Sequence, residues 1–272
     1  MLKQRIITAF ILLFLLLAAL FILPVSAWSA LVGLVVLLGA REWTTLSKMR
    51  KFEARLYMIA TLILCFSMIW MQLFLPPDQK MILQFLVYGT SVLFWVLVVP
   101  LWLAGRWSTS GKWLLSFIGW VVLLPMGMAM LDLRSEIQQP WWLLGAMGLV
   151  WMADICAYFT GRALGKHKLA PGISPGKTWE GVAGATLGVL VYIAIVMFNT
   201  GLMQRYSLIL FALIGVAFSV MGDLFESAIK RQAGVKDSGK LLPGHGGLLD
   251  RIDALTSTLP LAALVLILTG LA

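Results

Sequence analysis

The stretch YSLILFALIGVAFSVMGDLFESAIKR, residues 206–231, decides the fold. From Tyr206 to Gly222 it carries no charge, and about 20 mostly apolar residues is the length of helix that crosses a hydrocarbon layer. Its last turns change character. Asp223, Glu226, Ser227 and Lys230 are spaced by three, four and seven, so a helix puts them on one face. Two carboxylates, a hydroxyl and an ammonium are costly against lipid and require an aqueous cavity or a bound ion. One segment therefore reads as a membrane span, about 206–225, that ends in chemistry.

Outward from it, eight similar runs appear at about 6–23, 25–40, 56–75, 81–104, 113–131, 141–160, 182–198 and 254–271. The whole chain of 272 residues is 61% hydrophobic and 12% charged, against roughly 45–50% and about 25% in an ordinary soluble domain. A soluble exterior could not be wetted with this composition. The expectation is an all-α integral membrane protein, a polytopic bundle of about nine transmembrane helices. The run at 25–40 is short and follows Pro24, so the first two spans are expected to form a tight hairpin. Ile11–Leu17 is apolar on every face, as a lipid-exposed or fully buried span should be.

The loops orient the bundle. With a cytoplasmic N-terminus, one side receives Lys3 and Arg5, then Arg41, Lys48, Arg50, Lys51 and Arg55, then Arg106 and Lys112. The same side takes Arg162, Lys166, Lys168 and Lys177, and finally Lys230, Arg231, Lys236, Lys240 and Arg251. The other side receives Lys80, Arg134 and Arg205. Cytoplasmic loops carry an excess of Lys and Arg, so the N-terminus is expected in the cytoplasm and the C-terminus on the opposite side. The net charge of +9 belongs to membrane-flanking loops, and nucleic acid is not the expected partner. The first run is longer than the 7–15 residues typical of a signal-peptide core, so it reads as a retained anchor.

Cys65 and Cys156 lie far apart in apolar runs and read as small buried hydrophobes. With two His in the chain, paired-His zinc chemistry is poorly supplied. Polar groups concentrate late in the sequence, which divides one continuous membrane domain into N-terminal helices, 1–140, and a C-terminal catalytic region, 141–272.

Within that region Asp154 sits inside a span, with Tyr158 one turn on and Gly161-Arg162 at its end. Residues 236–253 run KDSGKLLPGHGGLLDRID: Pro243, Gly244, Gly246 and Gly247 exclude a regular helix and let backbone N–H groups approach an anion. Asp250, Arg251 and Asp253 then open the last span, where a helix N-terminus favours anions and carboxylates can hold a divalent cation. The loop 165–181 contains Gly176-Lys177-Thr178 but is no nucleotide P-loop, because Pro171 stands where the motif needs Gly and no strand is expected before it. It reads as a basic loop for phosphate or for the anionic membrane surface. Carboxylates for hard cations and Lys/Arg for phosphates together point to metal-assisted phosphoryl or nucleotidyl transfer.

The order Ser227-x-x-Lys230-Arg231, Lys236-Asp237, Pro243-Gly-His245-Gly246-Gly247-x-x-Asp250-Arg251-x-Asp253 is similar to the signature of phosphatidate cytidylyltransferases. Asp154 with Tyr158 and Gly161-Arg162 resembles further elements of that family. So do Ser174-Pro-x-Lys177-Thr178-x-x-Gly181 and Gly222-Asp223-x-x-Glu226-Ser227. The resemblance covers about residues 150–253; the rest matches only as hydrophobic spans. It implies transfer of the cytidylyl group of CTP to phosphatidate, giving CDP-diacylglycerol and pyrophosphate. It further implies Mg²⁺, with a second, monovalent cation left open, and a homodimer among the lipids of the bacterial inner membrane. Asp223 and Asp250 would be the metal carboxylates. Lys230, Arg231 and Asp253 would complete the catalytic group. The substrate-binding set would be Asp154, Arg162, Ser174, Lys177, Thr178, Glu226, Ser227, Lys236, Asp237, His245, Gly246, Gly247 and Arg251. At Glu180 the family is expected to accept an amide.

Two other classes compete. A transporter would use Asp154 and Asp223 as ion or proton carriers, but no repeat pairs the two halves. A CTP-using lipid kinase would release CDP rather than pyrophosphate. The Asp-Gly-x-x-Ala-Arg pattern of enzymes that transfer CDP-activated headgroups is absent.

Overall fold

The structure is a computed structural model describing residues 2–105, 107–109, 111–134, 140–202, 206–241 and 246–269, with side chains for residue 8 and from residue 10 on. Among these, nine helices follow one another: α1 (Leu2–Ile22), α2 (Val25–Leu46), α3 (Lys51–Phe74), α4 (Pro77–Gly105), α5 (Lys112–Asp132), α6 (Trp141–Leu164), α7 (Trp179–Thr200), α8 (Ser207–Ala233) and α9 (Leu249–Thr269). Eight of them, α2 to α9, are long and apolar enough to cross a membrane. The described apolar part of α1, Phe10–Ile22, is shorter.

Proline punctuates the chain where its missing N–H costs least. Pro24 precedes α2, Pro77 is the first residue of α4 and Pro140 precedes α6. Gly201 and Gly234 end α7 and α8 in the left-handed conformation, with φ of 72° and 82°. Pro125 and Pro260 lie inside α5 and α9, the two most buried spans; neighbouring helices can satisfy the carbonyls they free.

α9 is the axis of the bundle. It packs on α4, α5, α6 and α8, and 72% of its apolar window is buried against 22% for α3 and for α4. A stretch of π-helix at Phe94–Val98 distorts α4. Trp95 in that stretch and Trp102 in the turns after it meet Phe225 of α8 edge-on, with ring centroids 5.6 and 5.8 Å apart. That aromatic wedge fixes α8 at the turn that carries Glu226 and Ser227. α6 and α7 make the most extensive helix pair, with Gly184 against Thr160 and Gly188 against Cys156. Small residues at such a contact let backbones approach where lipid offers no hydrophobic drive.

The connection between α1 and α2 is as short as expected, and among the described residues α2 packs on α5 and α3. Two expectations need correction. Cys65 is buried, whereas Cys156 is only partly so, lying in the α6–α7 seam. The loop before α7 is not wholly irregular: strands β1 (Lys168–Ala170) and β2 (Ser174–Thr178) form an antiparallel hairpin, pairing Lys168 with Thr178 and Ala170 with Ser174. A strand therefore does precede Gly176-Lys177-Thr178, but that triplet is itself strand, not the turn of a P-loop. Pro175 is compatible with an edge strand, which has one unpaired side.

Candidate active site

The hairpin, α6, α7 and α8 enclose a cavity of about 570 Å³. Its wall includes Asp154, Tyr158 and Arg162 from α6, Ser174, Lys177 and Thr178 from β2, and Ser219 and Asp223 from α8. The local fold explains each placement. Thr178 ends the strand and caps α7, its Oγ1 accepting from the Gly181 N–H at 3.1 Å. This directs the preceding side chain, Lys177, across to α8, where its Nζ lies 2.7 Å from Asp223 Oδ2. Ser227 donates to Asp223 Oδ1 at 3.2 Å. Arg162 donates to the Tyr158 hydroxyl at 2.9 Å.

A second group is packed beside this cavity, between α8 and α9. Lys230 Nζ lies 2.6 Å from Asp250 Oδ1 and 3.2 Å from Glu226 Oε1, with all three side chains at most 10% exposed. The other oxygen of Asp250 accepts from the N–H groups of Gly247 and Ser238 at 2.8 and 3.0 Å, and from the Ser238 hydroxyl at 3.1 Å. The glycine-rich segment was expected to offer N–H groups to a ligand anion. The described part of it offers the Gly247 N–H to the protein's own carboxylate instead. Gly246 adopts φ +83°, and a Cβ there would stand 2.7 Å from Asp250 Oδ2, so the turn requires its glycine.

Asp253 connects the two groups, interacting electrostatically with Asp154 and Asp223 on one side and with Glu226 and Lys230 on the other. Asp154 also feels Lys177 and Arg251. Among the described residues, five linked carboxylates (Asp154, Asp223, Glu226, Asp250 and Asp253) thus face three cations, Lys177, Lys230 and Arg251.

Not every sequence-predicted residue joins them. Arg231 is exposed and donates to the carbonyls of Val235 and Ile173 at 3.1 and 3.4 Å. Lys236 and Asp237 are exposed on the turn after α8. His245 lies outside the described residues, with Pro243 and Gly244. Glu180 closes the base of the hairpin, 2.6 Å from His167 Nδ1 and accepting from the Lys166 N–H at 3.1 Å.

One residue at the site escaped the sequence reading altogether. Glu42 of α2 is buried and accepts from the Ser238 hydroxyl at 2.8 Å and from the N–H groups of Leu248 and Leu249 at 2.8 and 2.9 Å. The one sequence signal is an acid beside Arg41 at the end of a span, in a stretch, 41–55, that holds five basic residues and one other acid, Glu53.

The chain matches the model of the cytidylyltransferase family over residues 3–269. It is 41% identical to a protein of Pseudomonas aeruginosa named phosphatidate cytidylyltransferase, over 99% of this chain and 98% of that one. A protein of the same name from Haemophilus influenzae is 38% identical over 96% of both chains. Another from Staphylococcus epidermidis is 47% identical over 47% of this chain and 50% of its own.

Proposed function

The chain belongs to the cytidylyltransferase family, and from that membership and the arrangement of its site we propose that it transfers the cytidylyl group of CTP to phosphatidate. It is an enzyme of that family and a multi-pass membrane protein. In the reaction proposed, an anionic oxygen of the lipid phosphate attacks the α-phosphorus of CTP. The bond from that phosphorus to the bridging oxygen of the β-phosphate breaks, and pyrophosphate leaves with the electron pair. The products are CDP-diacylglycerol and pyrophosphate.

The observation that carries this reading is the linked cluster of five carboxylates and three cations beside a cavity into whose wall Asp154, Lys177 and Asp223 are set. The nucleophile is already charged, so no strong base is needed. The task is to bring two polyanions together and to stabilise the leaving group. Lys177, in the cavity wall, and Arg251 would neutralise phosphate charge, while Ser174 and Thr178 supply hydroxyls to the same wall.

A divalent cation fits the donor set. Both Asp223 and Asp250 already bear an ammonium group, so each stands where a cation is held. Glu226 Oε1 is buried and meets Lys230 off the hydrogen-bond direction. No three His, Cys, Asp or Glu side chains among the described residues form a ready metal site. Mg²⁺ is usually held by one or two carboxylates together with substrate phosphates, so it does not require such a group of three. Asp223 and Asp250 are the carboxylates proposed to hold it, Asp250 by exchanging Lys230. When bound, it would neutralise charge on the triphosphate and on the departing pyrophosphate.

The active site is proposed to face the cytoplasm of the inner membrane, supported by the excess of Lys and Arg on the loops that carry it. In this arrangement phosphatidate keeps its chains in the leaflet and CTP arrives from the aqueous side, with segments 1–140 and 141–272 acting as one unit. A homodimer belongs to the same reading and rests on the family resemblance. The test is to supply purified protein with CTP, phosphatidate and Mg²⁺ and to quantify pyrophosphate. Release in step with CDP-diacylglycerol supports the reading; release of CDP would replace it with a kinase.

A further inference from the structure

We propose that Glu42 is a positioning residue for Asp250, so that a helix of the N-terminal half sets the geometry of the reaction centre. The inference rests on the reading above that Asp250 belongs to that centre.

Glu42 stands about 200 residues from its partners in sequence, and all three of them lie on the segment that folds around Asp250. Oε1 accepts from the Leu248 N–H; Oε2 accepts from the Leu249 N–H and the Ser238 hydroxyl. The first N–H groups of a helix have no partner within it, and a carboxylate there is also favoured by the helix dipole. At α9 a carboxylate from another helix fills that role, so the start of α9 is anchored to α2 as well as to its own chain.

Ser238 extends the link. Its hydroxyl lies within hydrogen-bond distance of both Glu42 Oε2 and Asp250 Oδ2, at 2.8 and 3.1 Å, and its single proton serves one at a time. Its N–H holds Asp250 Oδ2 independently. Oδ2 is thereby fixed on the protein and Oδ1 is left toward Lys230. The surrounding backbone closes on Glu42. A Cβ on Gly239 would lie 2.6 Å from Oε1, and one on Gly247 would lie 2.5 Å from Oε2. Both glycines are therefore places where chain approaches this carboxylate.

An amide in place of Glu42 has one accepting oxygen and an NH2 that cannot accept. Glu42→Gln keeps the volume but leaves at least one of the three donors facing another donor, and the turn that aims Asp250 shifts. Removing such a supporting partner typically costs about 10–100-fold. In cytidylyl transfer from CTP to phosphatidate by the full chain in detergent, Glu42→Gln is expected to lower kcat by that factor with KM for CTP little changed. Hydrogen exchange at the Leu248 and Leu249 amides should accelerate while the amides of α5 and α6 keep their protection.

A wild-type kcat in Glu42→Gln, or a loss of kcat matched by faster exchange throughout the bundle, overturns the proposal. Ser238→Ala, which deletes one hydroxyl, carries the same test if Glu42→Gln does not fold: a drop of about tenfold is expected, and an unchanged kcat overturns it. Asp250→Asn separates the two readings. If it remains active, the reaction-centre assignment fails; if it is inactive while Glu42→Gln turns over normally, only the positioning role fails.

Discussion

Lys230 of α8 and Asp250 of α9 form an ion pair 2.6 Å long, in which both side chains are at least 90% buried. The pair joins the two helices that carry most of the site, and Glu226 shares its ammonium at 3.2 Å. Taking one member of such a buried group away leaves the others as uncompensated charge.

Lys230→Met is therefore expected to do double damage. Loss of one partner of a buried pair typically costs about 3–5 kcal/mol, which should appear as a lower thermal midpoint in detergent, together with loss of cytidylyl transfer. Lys230→Arg should recover part of the stability. An unchanged midpoint in Lys230→Met would contradict the packing described.

Lys177 offers the contrast. Its pair with Asp223 is 23% and 33% exposed on the two sides, a setting in which an ion pair is worth about 0–1 kcal/mol. Lys177→Ala should leave the thermal midpoint nearly unchanged and reduce kcat by about 10²-fold, the typical effect of removing one group that stabilises transition-state charge. A stability loss without a loss of turnover would reverse its assigned role.

Gly247→Ala places a methyl group against the Ser238 hydroxyl and 2.5 Å from Glu42 Oε2. Overpacking of this kind costs about 1–3 kcal/mol, and here the strain falls on the turn that holds Asp250. Turnover should fall sharply. Gly172→Ala, at the tip of the hairpin where nothing lies within 4 Å of a new Cβ, should turn over like the parent protein. Assays of both variants side by side check the point.

Chelation tests the cation. Stripping divalent ions with EDTA should bring lipid nucleotidylation to background, and added Mg²⁺ should restore it. Full activity in the chelator would remove the metal from the proposal.

The spans could be read from the sequence because an apolar run long enough for a bilayer has few other uses. Their ends could not, since hydropathy follows lipid contact rather than helix. α2 runs on through Arg41 and Glu42 to Leu46, and α8 past its expected end at about 225 to Ala233. The α8 stripe was readable because its members are a few residues apart. Glu42 was not, because its meaning comes from partners that only the packing of α2 near α9 brings within reach. The hairpin at 168–178 was hidden by Pro171, Gly172, Pro175 and Gly176, a composition that ordinarily marks irregular chain.

The most direct test of the account follows the label. Purified protein is incubated with phosphatidate, Mg²⁺ and CTP labelled on either the α- or the γ-phosphate, and the lipid is extracted. The α-label is expected in the lipid and the γ-label in pyrophosphate, with no transfer by Asp223→Ala. Label from the γ-phosphate in the lipid, or undiminished Mg²⁺-dependent transfer by Asp223→Ala, would contradict it.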